Sequence, residues 1–284
     1  MPEQKNKHPG YTIMVMSDKG GVGKSVISIN LAVALSGYGF KVLLVDGDMT
    51  HPTIGIQLGV EPHIHDISDF LKGKVGMACT ISTHEPSGVD LLLCSIEKEP
   101  FRVNEKMLKH AITAGIRTKR PYDFIIVDTP AMARTFVITK GLMKHINGYM
   151  DEGLIIIVPK PTIVISTMKM VIALKLLKCR HRVVMNMRSN KPFEIDTGFI
   201  EKVLRNKVYM ELPMDDLIPM SIYKHVPAVL LAPYSKFSTR IRQLAASYIA
   251  YWYPKRATQK IKQIAETEEE FEKARKSKRK SRWF

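Results

Sequence analysis

Residues 17–25 read Ser-Asp-Lys-Gly-Gly-Val-Gly-Lys-Ser and stand between two apolar runs. The run before them, residues 11–16, has the length and composition of a buried strand. The run after them, residues 26–35, places Ile27, Leu31 and Ala34 near helical spacing. A glycine-rich turn from a strand into a helix points several backbone N–H groups inward, and the helix dipole adds to their field. Such a turn is a seat for a polyphosphate. Gly20, Gly21, Val22 and Gly23 would surround the phosphates, and Lys24 would reach the β- and γ-phosphates. The Ser25 hydroxyl would complete a magnesium shell, and Val26 would close the phosphate-facing stretch.

The rest of the chain repeats the alternation. Apolar strands are predicted at residues 41–45, 89–93, 122–128, 154–158, 183–187 and 208–212, and helices at 54–58, 104–116, 162–177 and 234–253. Uniformly apolar strands alternating with helices predict an α/β fold with a mostly parallel sheet covered on both faces. Ligands of such sheets bind beyond the C-terminal strand ends. Here those ends carry Asp46-Gly47-Asp48, Asp128-Thr129-Pro130, Asn186 and Pro213-Met214-Asp215-Asp216. His63, His65 and Asp66 suggest a metal site, but His65-Asp66 reads equally well as the start of a helix to residue 71.

The two-lysine loop Lys19-Gly20-Gly21-Val22-Gly23-Lys24-Ser25, with these strand ends in this order, resembles the deviant Walker A loop and switches of the MinD/ParA superfamily of ATPases. The resemblance spans residues 11–253. It implies the three-layer P-loop fold with seven or eight strands, ATP and Mg2+ as ligands, and a homodimer formed in the ATP state. It places Ser25, Asp46 and Asp128 at the magnesium and Asp48 at the attacking water. It places Lys19 across the dimer on the partner's nucleotide, and Asn186, Pro213 and Asp215 at the adenine. Slow hydrolysis stimulated by an activating adaptor protein is implied too. Two departures stand out: Val26 replaces a hydroxyl residue that contacts the α-phosphate, and Met132 replaces a glycine of the second switch.

Charge narrows the partners. The formal net charge is +16, and residues 255–284 hold 11 basic and 5 acidic side chains, so the body keeps a basic excess of its own. A polyanion is the natural counterpart. DNA is expected on the ATP dimer, with an anionic membrane as the alternative and a non-hydrolysing nucleotide-binding module as a third reading. Cys79, Cys94 and Cys179 are scattered and form no Cys-x-x-Cys pair, against an iron–sulfur carrier and consistent with a reducing cytoplasm. The longest apolar run, residues 154–165, is broken by Lys160 between Pro159 and Pro161, short of a membrane span. The expected location is therefore the cytoplasm, at the nucleoid or inner-membrane surface. The expected division is a flexible stretch at 1–10, an ATPase domain at 11–254 and a basic tail at 255–284, with an amphipathic helix at 260–271.

Overall fold

Strand β1, Tyr11–Met16, is buried along its whole length because it lies near the middle of an eight-stranded sheet. The computed structural model describes residues 10–48, 51–60, 65–94, 110, 122–131 and 150–257. The expectations for residues 1–9, Met49, Thr50, His63, the helix at 104–116 (His110 apart), Met132 and the tail at 258–284 lie outside the described residues.

The other strands are β2 Val42–Asp46, β3 Ile81–His84, β4 Val89–Leu92, β5 Phe124–Asp128, β6 Glu152–Ile157, β7 His181–Arg188 and β8 Val208–Pro213. Their order is β3-β4-β2-β5-β1-β6-β7-β8, parallel except for the β3–β4 hairpin. Strand alternation sends Ile13 and Val15 into one core and Met14 and Met16 into the other. Helices α1 (Lys24–Gly37) and α8 (Lys236–Trp252) fill the first core through Leu31, Leu35 and Leu244. Helix α4 (Pro161–Leu176) fills the second through Val164, Val171 and Leu174. Shorter helices complete the layers: α2 Ile54–Leu58, α3 Ile67–Leu71, α5 Thr197–Leu204, α6 Leu217–Tyr223 and α7 Ala228–Leu231. This is the three-layer fold expected, with eight strands.

Two local departures have physical reasons. Helix α1 starts at Lys24 rather than 26 because Gly23 caps it in the left-handed conformation, φ 90°. Strand β3 was not foreseen, since its buried positions are Ser82 and His84, whose polarity hides the alternation. At α3 the helix reading holds: the Asp66 carboxylate accepts the N–H groups of Ser68 and Asp69 as N-cap, and the Asp69 carboxylate accepts that of Asp66.

At the N-terminal end of the sheet, Glu152 is fully buried and partnered. It accepts hydrogen bonds from the phenols of Tyr11 and Tyr248, each at 3.0 Å, and pairs with Arg182 Nε at 2.9 Å. Arg182 lies over the rings of Tyr248 and Tyr209, at 4.3 and 4.5 Å. This cluster fixes the end of α8 against the strand starts, opposite the phosphate loop.

Candidate nucleotide site

The loop between β1 and α1 is held from both sides. Gly21 and Gly23 adopt φ of 74° and 90°, which side-chain-bearing residues rarely reach. The Ser17 hydroxyl donates to the Lys19 carbonyl at 2.6 Å, and Val22 is buried as an anchor. Asn186 Nδ2 donates to the Val22 carbonyl at 2.9 Å. Gly23 must be glycine for a second reason: a Cβ there would stand 2.4 Å from Asn186 Nδ2.

Two strand ends bring the acids together. Asp46 and Asp128 are register partners across β2 and β5. Ser25 Oγ donates to Asp128 Oδ2 at 2.5 Å and Ser28 Oγ to Oδ1 at 3.2 Å, while Thr53 Oγ1 donates to Ser25 at 2.9 Å. Between the acids, Gly47 passes so close that a Cβ would meet the Asp128 carbonyl at 2.4 Å. The sequence places Asp46 beside a metal, yet its carboxylate has another first duty. It accepts the backbone N–H groups of Asp48 at 3.3 Å, Thr53 at 2.9 Å and Ile54 at 3.0 Å, and so shapes the turn from β2 into α2.

Burial raises both carboxyls, Asp46 to about 7 and Asp128 to about 6. The charge of Asp128 adds to the shift of Asp46, while Ser25, Lys24 and Ser28 oppose the shift of Asp128. Burial also lowers Lys24, against the pull of Asp128 and then Asp48. Once both are ionised, two buried carboxylates face one half-buried lysine, so the site is short of positive charge. An oxygen-only set of Ser25 and the two acids suits a hard divalent cation such as Mg2+. Asp48, 22% exposed, accepts the N–H of His51 at 3.1 Å and lies within electrostatic reach of Lys24 and Asp128.

A pocket of about 150 Å³ opens beside the loop, lined by Gly23, Val26, Asn186, Pro213 and Asp215 with Phe237 from α8. The fold thus gathers the residues expected at an adenine around one cavity, and Val26 contributes an apolar wall. Lys19 stands apart, exposed on the loop, as do Gly20 and Gly21.

A family profile described as AAA domain matches residues 10–147. An ATP-binding protein of Methanocaldococcus jannaschii is 28% identical over 248 residues, 85% of this chain and 88% of that protein. The septum site-determining protein MinD of Thermotoga maritima is 34% identical over 124 residues, 43% of this chain and 45% of its own. The structure of MinD from Pyrococcus horikoshii, complexed with Mg-ADP, aligns with a TM-score of 0.73 at 26% identity, covering 84% of this chain and 96% of that one. The chain belongs to the MinD/ParA superfamily of P-loop ATPases.

Three further residues of the site, Ser28, Thr53 and Phe237, are not among those the sequence singles out. Ser28 had a usable signal, since it follows Ser25 by three residues on α1 and so shares its face. Thr53 had only its nearness to Asp46, and hydroxyl residues are common in loops. Phe237 comes from a helix read purely as core.

Proposed function

We propose that this MinD/ParA-type chain binds and hydrolyses ATP with Mg2+ and works as an ATP-dependent dimer that positions cargo on a polyanion, namely DNA. The observation that carries the reading is the cluster of Lys24, Ser25, Asp46, Asp48 and Asp128 at one end of the phosphate loop, with the base pocket at the other. The related Pyrococcus protein was solved with Mg-ADP, and the related Methanocaldococcus protein is described as ATP-binding.

In this mechanism the N–H groups of Gly20 to Ser25 cradle the phosphates, and Lys24 neutralises charge on the β- and γ-phosphates. Mg2+, when bound, would offset negative charge on the phosphates. Ser25 would hold it directly and Asp128 through a water, while Asp46 fixes the turn behind them. Asp48 orients the attacking water. Lys19, exposed and long, reaches the partner's nucleotide, where a compact charge suits phosphoryl transfer. Asn186 meets the adenine with its remaining amide hydrogen and its oxygen, one hydrogen being used on Val22. Pro213 and Asp215 shape the far wall.

DNA is favoured because a basic tail alone would not require the basic excess of the body, and each neutralised phosphate releases counterions whatever the sequence. Among the described residues no helix is long and apolar enough to cross a membrane. The test measures ATP turnover with and without DNA or anionic liposomes. DNA mobility shifts and liposome sedimentation are run alongside, with ATP and with ADP. A chain ending after Ala257 is the control, because Arg256 pairs with Asp123 at 2.6 Å and Ala257 is buried. The expected result is DNA binding that needs ATP, weakens steeply with salt and partly survives truncation. Liposome binding that is lost on truncation, without DNA binding at moderate salt, overturns the DNA reading. Absence of turnover under every condition overturns the enzyme.

A further inference from the structure

His225 occupies a position that glycine would fill at lower cost. Helix α6 ends in a Schellman motif: His225 N donates to the Ile222 carbonyl at 3.1 Å and Val226 N to the Ser221 carbonyl at 3.0 Å. The residue between Lys224 and Val226 must be left-handed, and His225 has φ 53°. A side chain in that conformation costs on the order of 1 kcal/mol, and inference runs from such an outlier to a role.

The role is visible in its contacts. His225 Nδ1 donates to the carbonyl of Ile56 at 2.8 Å, at the C-terminal end of α2. That carbonyl also accepts the N–H of Gly59 at 3.2 Å. The two turns are pressed together, since a Cβ on Gly59 would lie 2.9 Å from His225 Cβ and Cγ. Gly59 is itself left-handed, φ 63°. The imidazole therefore joins the end of α2 to the end of α6, 169 residues apart in the chain.

The other ends of these helices lie at the two halves of the nucleotide site. Helix α2 begins on the Asp46 carboxylate through the N–H groups of Thr53 and Ile54, and the Thr53 hydroxyl reaches Ser25. Helix α6 begins on Asp215, whose carboxylate accepts Leu217 N at 3.0 Å, and Ile218 lines the base pocket. Each helix is short, five and seven residues, so each spans only about 7–11 Å and moves as a piece.

We propose that His225 is a positioning residue that couples the base pocket to the turn at Asp46 and Thr53, so that adenine at α6 orders the start of α2. The inference rests on the nucleotide reading above. Coupling is reciprocal, so the same contact lets an ordered turn at Asp46 tighten the base pocket.

The test uses the full chain and adenosine, which carries the base and no phosphate. Hydrogen exchange is followed in residues 53–60 and in residues 214–219, for wild type, His225→Gly and His225→Asn. Glycine removes the imidazole and suits the left-handed turn, so the fold is kept; asparagine tolerates the turn and retains a donor. In wild type adenosine slows exchange in both segments, by at least about fivefold in residues 53–60. In His225→Gly the slowing at 214–219 remains and that at 53–60 is lost, and His225→Asn restores part of it. Protection of 214–219 alone in wild type, or undiminished protection of 53–60 in His225→Gly, overturns the coupling while leaving the nucleotide reading intact. No protection of either segment in wild type sinks the nucleotide reading at the base pocket, and this inference with it.

Discussion

Glu152 at the start of β6 and Asp128 at the end of β5 are both buried carboxylates on one sheet, but their surroundings differ in kind. Around Glu152 the chain supplies a guanidinium and two phenols, and Arg182 in turn donates to Ser247 at 2.9 Å. Around Asp128 it supplies two serine hydroxyls and sets a second acid, Asp46, in register. Burial raises the carboxyl of Glu152 as well, but its neighbours all favour its charge. At the other end the nearest acids oppose one another. A fold that completes one buried charge and leaves another short of a cation marks the second as the place where something else binds.

Removing Glu152 breaks the completed end and has the largest expected effect. Glu152→Ala leaves Arg182, whose side chain is 13% exposed, and two phenols without their partner, which costs about 3 kcal/mol of stability. Denaturant unfolding at neutral pH measures it, and the double variant with Arg182→Met recovers much of the loss. A loss below about 1 kcal/mol in the single variant would show that Arg182 finds water. The counterpart at the incomplete end is Asp48→Ala. It keeps ATP binding but lowers turnover by about 100-fold, about 2.7 kcal/mol at the barrier, because positioning and charge carry most of phosphoryl transfer. The variant accumulates as an ATP-bound dimer in light scattering. Wild-type turnover would remove Asp48 from the mechanism.

The two ends were not equally legible in the sequence. The incomplete end announces itself, because apolar strands that stop at Asp46, Asp128 and Asn186 concentrate polar residues where a parallel sheet has its ligand crevice. The completed end is silent. Tyr11 and Glu152 are 141 residues apart and Tyr248 and Glu152 are 96 apart, and each reads locally as an ordinary strand or helix residue. The apolar pattern therefore starts β6 at 154, two residues late, since a glutamate looks like a loop and only tertiary partners bury it. The same limit hid α5 and α6, where Asp196 and Asp216 sit at helix starts among proline and polar residues. His225 is the extreme case: its role depends on a backbone conformation that no pattern encodes.

The two ends also differ in how they respond to pH. Asp46 and Asp128 have folded values near 7 and 6, above the 3.8 of an ordinary aspartate. The folded chain therefore holds protons that the unfolded chain has released, and stability falls as pH rises through that window. One proton held over about 1.5 pH units is on the order of 2 kcal/mol. Unfolding at pH 5.5 and pH 8 without Mg2+ should show that loss. Mg2+ should flatten the slope belonging to the acid pair, since a cation stabilises the ionised pair in the folded state only. Any slope due to Glu152 should persist, being at the other end of the sheet. A pH slope identical with and without Mg2+ would mean the acid pair is not where the cation binds.

The smallest expected effect tests the one wall of the site that departs from the superfamily pattern. Val26 is half-buried, packs against the core and lines the base pocket. Val26→Thr would present a hydroxyl on the first turn of α1, where it can donate to the α-phosphate, a gain of about 0.5–1.5 kcal/mol. Against this, a methyl group is exchanged for a hydroxyl in an apolar wall, and that exchange is not neutral in a packed setting. The phosphate gain should win, because the hydroxyl of a bound complex is satisfied and the pocket remains walled by Phe237, Pro213 and Ile218. ADP affinity measured by calorimetry should tighten by about threefold to tenfold, with stability of the free protein unchanged within about 0.5 kcal/mol. Weaker binding in Val26→Thr would mean that Val26 serves the base more than its absent hydroxyl is missed by the phosphate. The incomplete end of the sheet would then be tuned for adenine first.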